Sequence, residues 1–136
     1  MKRNVIATLS LVALALLLNA TAAFAQAAAK ADVPFAFTVG KVELPAATYV
    51  VSNDTAATVT IRNAETRKAI LSLMHREYPK GGSPRLVFHK VGGQYFLAQI
   101  WGEEGNAGMS IPISALEKEL VAGNTSTPEV VVIAMK

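Results

Sequence analysis

Arg85-Leu-Val-Phe-His-Lys-Val91, then Gly92-Gly93, then Gln94-Tyr-Phe-Leu-Ala-Gln-Ile-Trp101 is the stretch that decides the fold. Two runs rich in β-branched and aromatic residues flank a pair of glycines, a link that permits the positive φ angles of a tight hairpin. Counting back from the turn sets the register. Val91 faces Gln94, Lys90 faces Tyr95, His89 faces Phe96, Phe88 faces Leu97 and Val87 faces Ala98. One face then carries Val87, Phe96, Ala98 and Ile100, and the other Leu86, Phe88, Tyr95, Leu97 and Trp101. Both faces are apolar, so the hairpin should lie in a sheet that is covered on each side.

The segments around the hairpin read the same way. Val33, Phe35, Phe37 and Val39 alternate with smaller or polar residues and predict one extended strand from Val33 to Val39, with Pro34 suited to its start or to an edge. Leu44-Pro45-Ala46-Ala47 is a turn with proline preset at its second position. Thr48 to Ser52 and Ala57 to Ile61 form a second hairpin around Asn53-Asp54-Thr55, and Lys68 to Met74 is another strand. Pro79, Gly81, Gly82, Ser83 and Pro84 mark a longer loop. Ser114-Ala-Leu-Glu117 matches a capping box and opens the one helix, Ser114 to Val121, whose Leu116, Leu120 and Val121 should cover the sheet. Glu129 to Met135 reads as a buried closing strand. The expectation is a mainly β fold: an antiparallel sandwich or a small, partly closed barrel of about 7–8 strands, with one short C-terminal helix.

The first 25 residues read as an export signal. Lys2 and Arg3 form a positive n-region, Val5 to Leu18 an apolar core, and Ala23-Phe24-Ala25 a small-x-small cleavage pattern before Gln26. The strongly apolar run stops at Leu18, which favours cleavage over a retained anchor, so no membrane span should persist after the signal is removed. Residues 26–32 read as a tether and residues 33–136 as a single domain. Of the 13 Lys and Arg residues two leave with the signal, and the 11 that remain face 10 acidic ones. That near balance removes the electrostatic motive for binding nucleic acid. No cysteine is present, so neither disulfides nor thiol chemistry contributes.

At this point the motifs resemble a known family. Val33-Pro-Phe-Ala-Phe-Thr-Val-Gly40, Leu44-Pro-Ala-Ala-Thr-Tyr49, Leu86-Val-Phe-His89, Tyr95-Phe-Leu-Ala-Gln-Ile-Trp101 and the Ser114 to Leu120 helix are together similar to small exported proteins of environmental bacteria. The resemblance implies an exported β-rich domain and transfers no catalytic residue, because no activity is established for that family. Ala47 departs from the pattern, which has glycine there. Alanine would cost on the order of 1 kcal/mol if the backbone at that position were left-handed.

Chemical candidates are few. His75 and Glu77 share a strand face and with His89 could in principle supply a His-His-carboxylate metal set, but their spacing is ordinary, nothing nearby completes a ligand set, and the expectation is a solvated or hydrogen-bonded structural role with no metal. Ser72 and His75, three apart on a strand, point to opposite faces and cannot act as nucleophile and base. Ser110, in Gly108-Met-Ser-Ile-Pro112, lacks the setting of a nucleophile elbow. Glu103 and Glu104 form a carboxylate pair that reads most simply as a solubilising turn. Tyr95, Trp101, Glu103 and Glu104 are the candidate ligand or partner contacts, and no cofactor is implied. The preferred reading is a non-catalytic binding or structural module that recognises a protein or envelope component. The alternative is a carrier that holds a small apolar ligand in a β-barrel cavity.

Overall fold

A computed structural model describes residues 28–53, 55–77, 82–102, 108–123 and 127–136. The segment read as an export signal, Asp54, the Pro79–Gly81 part of the long loop, Glu103 and Glu104, and Asn124 lie outside the described residues. Eleven strands and one helix are present among those described: β1 Ala29–Val33, β2 Phe37–Val39, β3 Val42–Leu44, β4 Ala47–Asn53, β5 Thr58–Asn63, β6 Ala69–Leu73, β7 His75–Glu77, β8 Arg85–Val91, β9 Gln94–Trp101, β10 Gly108–Ser110, α1 Ala115–Gly123 and β11 Glu129–Ala134. The first sheet has the order β1-β4-β5-β6 and the second β11-β8-β9-β10-β7, with β2 added beside β9 and β3 beside β2. Every pairing is antiparallel except the short β2–β9 contact at Thr38 and Phe96. The fold is an antiparallel β-sandwich and does not close into a barrel.

The stretch from Ala29 to Val39 departs from the sequence reading twice. Residues 29–32, expected as tether, belong to β1, which pairs with β4 from Ala29 opposite Val51 to Val33 opposite Ala47. Ala31 and Val33 are buried, while Lys30 and Asp32 alternate outward. Alanine gives little apolar signal, yet its small side chain fits where the two sheets approach. The expected single strand from Val33 to Val39 is also divided. Pro34 to Ala36 carry the chain from the first sheet to the second, since proline cannot donate the next ladder hydrogen bond. Val33, Phe37 and Val39 still reach the same core, with Phe35 packed against it. The strand count exceeds the predicted 7–8 because β1 and the three-residue strands β3, β7 and β10 carry no run long enough to show a period of two.

Inward side chains of both sheets fill the interior. Phe37 stands edge-on to Tyr49 and to Phe88, with ring centroids 5.2 Å apart in each case, and Phe35 meets Phe88 edge-on at 5.1 Å. Val59, Ile61, Leu86, Leu97, Ile100 and Met109 complete the packing. The Tyr49 hydroxyl donates to the carbonyl oxygen of Pro45, four residues upstream, in the manner of the tyrosine corner of β-sandwiches. Ala47 begins β4 in extended conformation and is not left-handed, so the cost weighed for a glycine replaced there does not arise.

Burial raises the Tyr49 phenol above its usual 10.0, and a hydrogen bond with the Asn63 side chain partly offsets the rise. Folding therefore favours the neutral phenol. Its contribution is complete below the unfolded phenol's pKa and is lost as pH rises through the higher folded value. Tyr49→Phe should cost about 1 kcal/mol at neutral pH, for the lost hydrogen bond. It should also flatten the alkaline decline in stability, which chemical denaturation between neutral pH and pH about 11 would measure.

The β5–β6 connection is built on Asn63, whose Oδ1 accepts from the backbone N–H groups of Glu65 and Thr66 at 2.9 and 3.0 Å. The turn closes with Arg67 at φ 63°, the one described non-glycine residue with positive φ. Arg67→Gly removes that strain and is expected to raise stability by up to about 1 kcal/mol, read as a higher denaturation midpoint at unchanged slope.

The Gly92-Gly93 turn forms as expected, both glycines having positive φ. From Val91 opposite Gln94 to Phe88 opposite Leu97 the predicted register holds; beyond it a bulge intervenes, and Val87 faces Gln99 rather than Ala98. The extra residue moves everything after it to the other face. Ile100 thus joins Leu86 in the core, and Trp101 pairs with Arg85 on the outer side, away from Tyr95 and Leu97.

Candidate functional site

The outer face of β8 and β9 holds a buried carboxyl, Glu117, and its partner His89. Val87, Phe96, Ala98 and Trp101 are buried there although they lie outside the central core. α1 packs over β8. Its start follows the capping box only in part: the Ser114 hydroxyl accepts from the Glu117 N–H at 3.2 Å, but the Glu117 carboxyl does not turn back to the cap. It reaches down to the sheet and shares a 2.9 Å hydrogen bond with Nδ1 of His89. Glu117 is the buried residue of the helix, at 5% exposure. Leu116 and Val121, expected to cover the sheet, stand 44% and 39% exposed. The reason is geometric: the position facing the sheet is the one between the apolar residues, and it carries a carboxyl that finds a partner there.

Trp101 lies at the far end of the same face. Its Nε1 donates to Gln99 Oε1 at 3.2 Å, and the Arg85 guanidinium stands 5.2 Å from the ring centroid. The ring rests on Gly108, so close that a Cβ at that position would overlap three of its carbons. Tyr95 is on the opposite, inward face, half-buried at the rim of the sandwich. It stacks on Phe35 with centroids 3.8 Å apart and planes 14° apart, and Lys90 Nζ lies 5.5 Å from its ring. Of the four candidate contact residues, Tyr95 and Trp101 are thus separated by the thickness of a sheet, while Glu103 and Glu104 lie outside the described residues.

His75 and Glu77 share a face of β7, as their spacing implies. His89 is separated from them by two strands, β9 and β10, and is engaged with Glu117, so the three do not converge. Among the described residues no three His, Asp or Glu side chains form a group able to hold a metal ion. Strand pairing does bring Ser110 opposite His75, a proximity that local spacing could not reveal. The Ser110 hydroxyl donates to the backbone carbonyl of His75 at 3.5 Å rather than to the ring.

Among the described residues, two surface grooves stand out. One of about 420 Å³ runs between β1 and β11, lined by Lys30, Asp32, Thr48, Ile133, Ala134 and Lys136. The second, about 280 Å³, lies between β6, the β2–β3 turn and Ile111-Pro112. Among the described residues no helix is long and apolar enough to cross a membrane. No protein-family model, curated protein or solved structure matches this chain.

Proposed function

We propose that the chain is an exported, non-catalytic module that binds a protein or envelope component through its surface, and that it belongs to the family its motifs resemble. The observation that supports this most is the distribution of apolar side chains. Large rings occupy the space between the sheets, whereas Val130 and Val132 on β11, and Leu116 and Val121 on α1, stand exposed. Val130 is the strand partner of His89, which holds Glu117, so the exposed valines and the helix belong to one side of the second sheet. Apolar groups exposed together on a small domain are a common mark of an interaction surface.

Crosslinking in intact cells, followed by recovery of the exported protein, tests the reading. A protein or envelope adduct should form with the wild type and be lost when Val130→Lys and Val132→Lys are combined, with the far-ultraviolet spectrum unchanged. The recovered protein should begin at Gln26 by intact mass. A small apolar molecule extracted in stoichiometric amount from the purified protein would instead support the carrier reading and overturn this one.

A further inference from the structure

We propose that β6 is a self-pairing edge, through which two copies of this chain join antiparallel about Leu71 into one continuous sheet. The inference does not depend on the proposed function. Its basis is the way the sheet edges are treated. β3, which ends the short branch beside β2, is three residues long and carries Glu43. The backbone of β1 is closed on its outer side by the C-terminus, where the N–H of Lys30 donates to the Lys136 carbonyl and the N–H of Lys136 to the Lys30 carbonyl, both at 2.9 Å. β7 is three residues long and carries His75, Arg76 and Glu77. β11 opens with Glu129 and leads into that same closure.

Among the described residues β6 has no such protection beyond the Ser72 hydroxyl, which donates to the Leu73 carbonyl at 3.1 Å. Ala69-Ile-Leu-Ser-Leu73 contains no charge, no proline and no glycine, and its ladder with β5 runs without a bulge from Ala69 opposite Arg62 to Leu73 opposite Thr58. Among the described residues no strand pairs with its other side. Edge strands of monomeric proteins are normally short, charged, bulged or covered, because an open row of N–H and C=O groups is a template for another strand. Here the strand also exposes its outward leucines, Leu71 by 66% and Leu73 by 68%. Val42, 45% exposed, borders the groove beside them.

A second copy is the occupant that fits this edge. An antiparallel two-fold that keeps both cores on the same side must pair outward residues with outward residues. Centring it on Leu71 sets Leu71 against its own copy, Leu73 against Ala69 and Ile70 against Ser72, so all the residues of β6 are paired, with an apolar leucine contact on the axis and Leu73 and Ile70 each meeting a small side chain. Sliding by two residues one way sets Arg67 against Leu73 and Lys68 against Ser72. Sliding the other way sets Lys68 against Arg76. The cations flanking the strand therefore select the centred register, and the uncharged stretch matches its own length.

Two measurements test this on the purified protein. Sedimentation velocity over a wide concentration range should show a reversible dimer, weakened at least about tenfold by Leu71→Lys. Because Leu71 is exposed, that variant should keep the wild-type circular dichroism and unfolding midpoint, and Leu73→Lys provides an independent second lesion on the same edge. The chain has no cysteine of its own, so Leu71→Cys reports the register directly. It should yield a disulfide-linked dimer on mild oxidation, whereas Arg62→Cys, on the same face one strand inward, should not. A wild type that stays monomeric at every concentration overturns the proposal. So does a dimer that survives both lysine variants, or one in which Leu71→Cys fails to crosslink.

Discussion

Trp101→Ala is expected to lower the unfolding free energy by about 3 to 5 kcal/mol, the range for removing a large buried ring without refilling its space. The ring is 4% exposed, held between Gly108 and the Arg85 guanidinium, with its N–H bonded to Gln99. Its burial outside the central core matters to the prediction: Trp101 is the main side chain closing that end of the outer face of β9. The same contact makes Gly108→Ala costly, by about 1 to 3 kcal/mol, because the added methyl must displace a rigid ring. In a Trp101→Ala background the Gly108→Ala change should cost almost nothing, a non-additivity that denaturant titration of the single and double variants would read. A tryptophan at the mouth of a ligand cavity would behave otherwise. Near-wild-type stability of Trp101→Ala, together with a wild-type Trp101 fluorescence that responds to apolar compounds, would favour the carrier.

How far the sequence could lead depended on whether each signal was local. The β8–β9 hairpin was legible because two glycines fix the turn and period-two runs flank it, and the Asn53 hairpin and the helix start followed for the same reason. The bulge opposite Val87 was not legible, since nothing in Leu97-Ala98-Gln99 distinguishes a regular strand from one with an extra residue. That one residue moved Trp101 from the face of Tyr95 to the face of Arg85. β1 was missed because alanines carry little periodic signal, and its strand character comes from pairing with β4. The short strand β7 pairs only with β10, which itself is held by β9, and this long-range pairing is why the proximity of Ser110 to His75 has no precursor in the local pattern. The helix sits in a different orientation from the one its apolar stripe implies. Leu116, Leu120 and Val121 form an apolar stripe, but the buried position is Glu117, whose partner His89 is 28 residues away.

That partnership carries the second large effect. Replacing His89 by alanine leaves the Glu117 carboxyl buried at the helix–sheet contact with its hydrogen-bond partner gone, and a buried polar group so orphaned costs much more than the bond itself was worth. His89 is 32% exposed by side chain, so water partly screens the loss. The expected cost of His89→Ala is about 2 to 3 kcal/mol, below the range usual for a fully buried broken pair. Glu117→Leu should be much milder, because an apolar side chain at that position extends the surface formed by Val87 and Phe96. If the pair chiefly fixes how α1 docks, rather than supplying net stability, the double variant His89→Ala/Glu117→Leu should unfold within about 1 kcal/mol of the wild type. Its helix should nevertheless exchange amide hydrogens faster, since apolar contact alone does not fix one rotation of the helix on the sheet. A His89→Ala variant as stable as the wild type would show that Glu117 finds other partners once the ring is gone. The contact would then be a consequence of helix docking and not its cause.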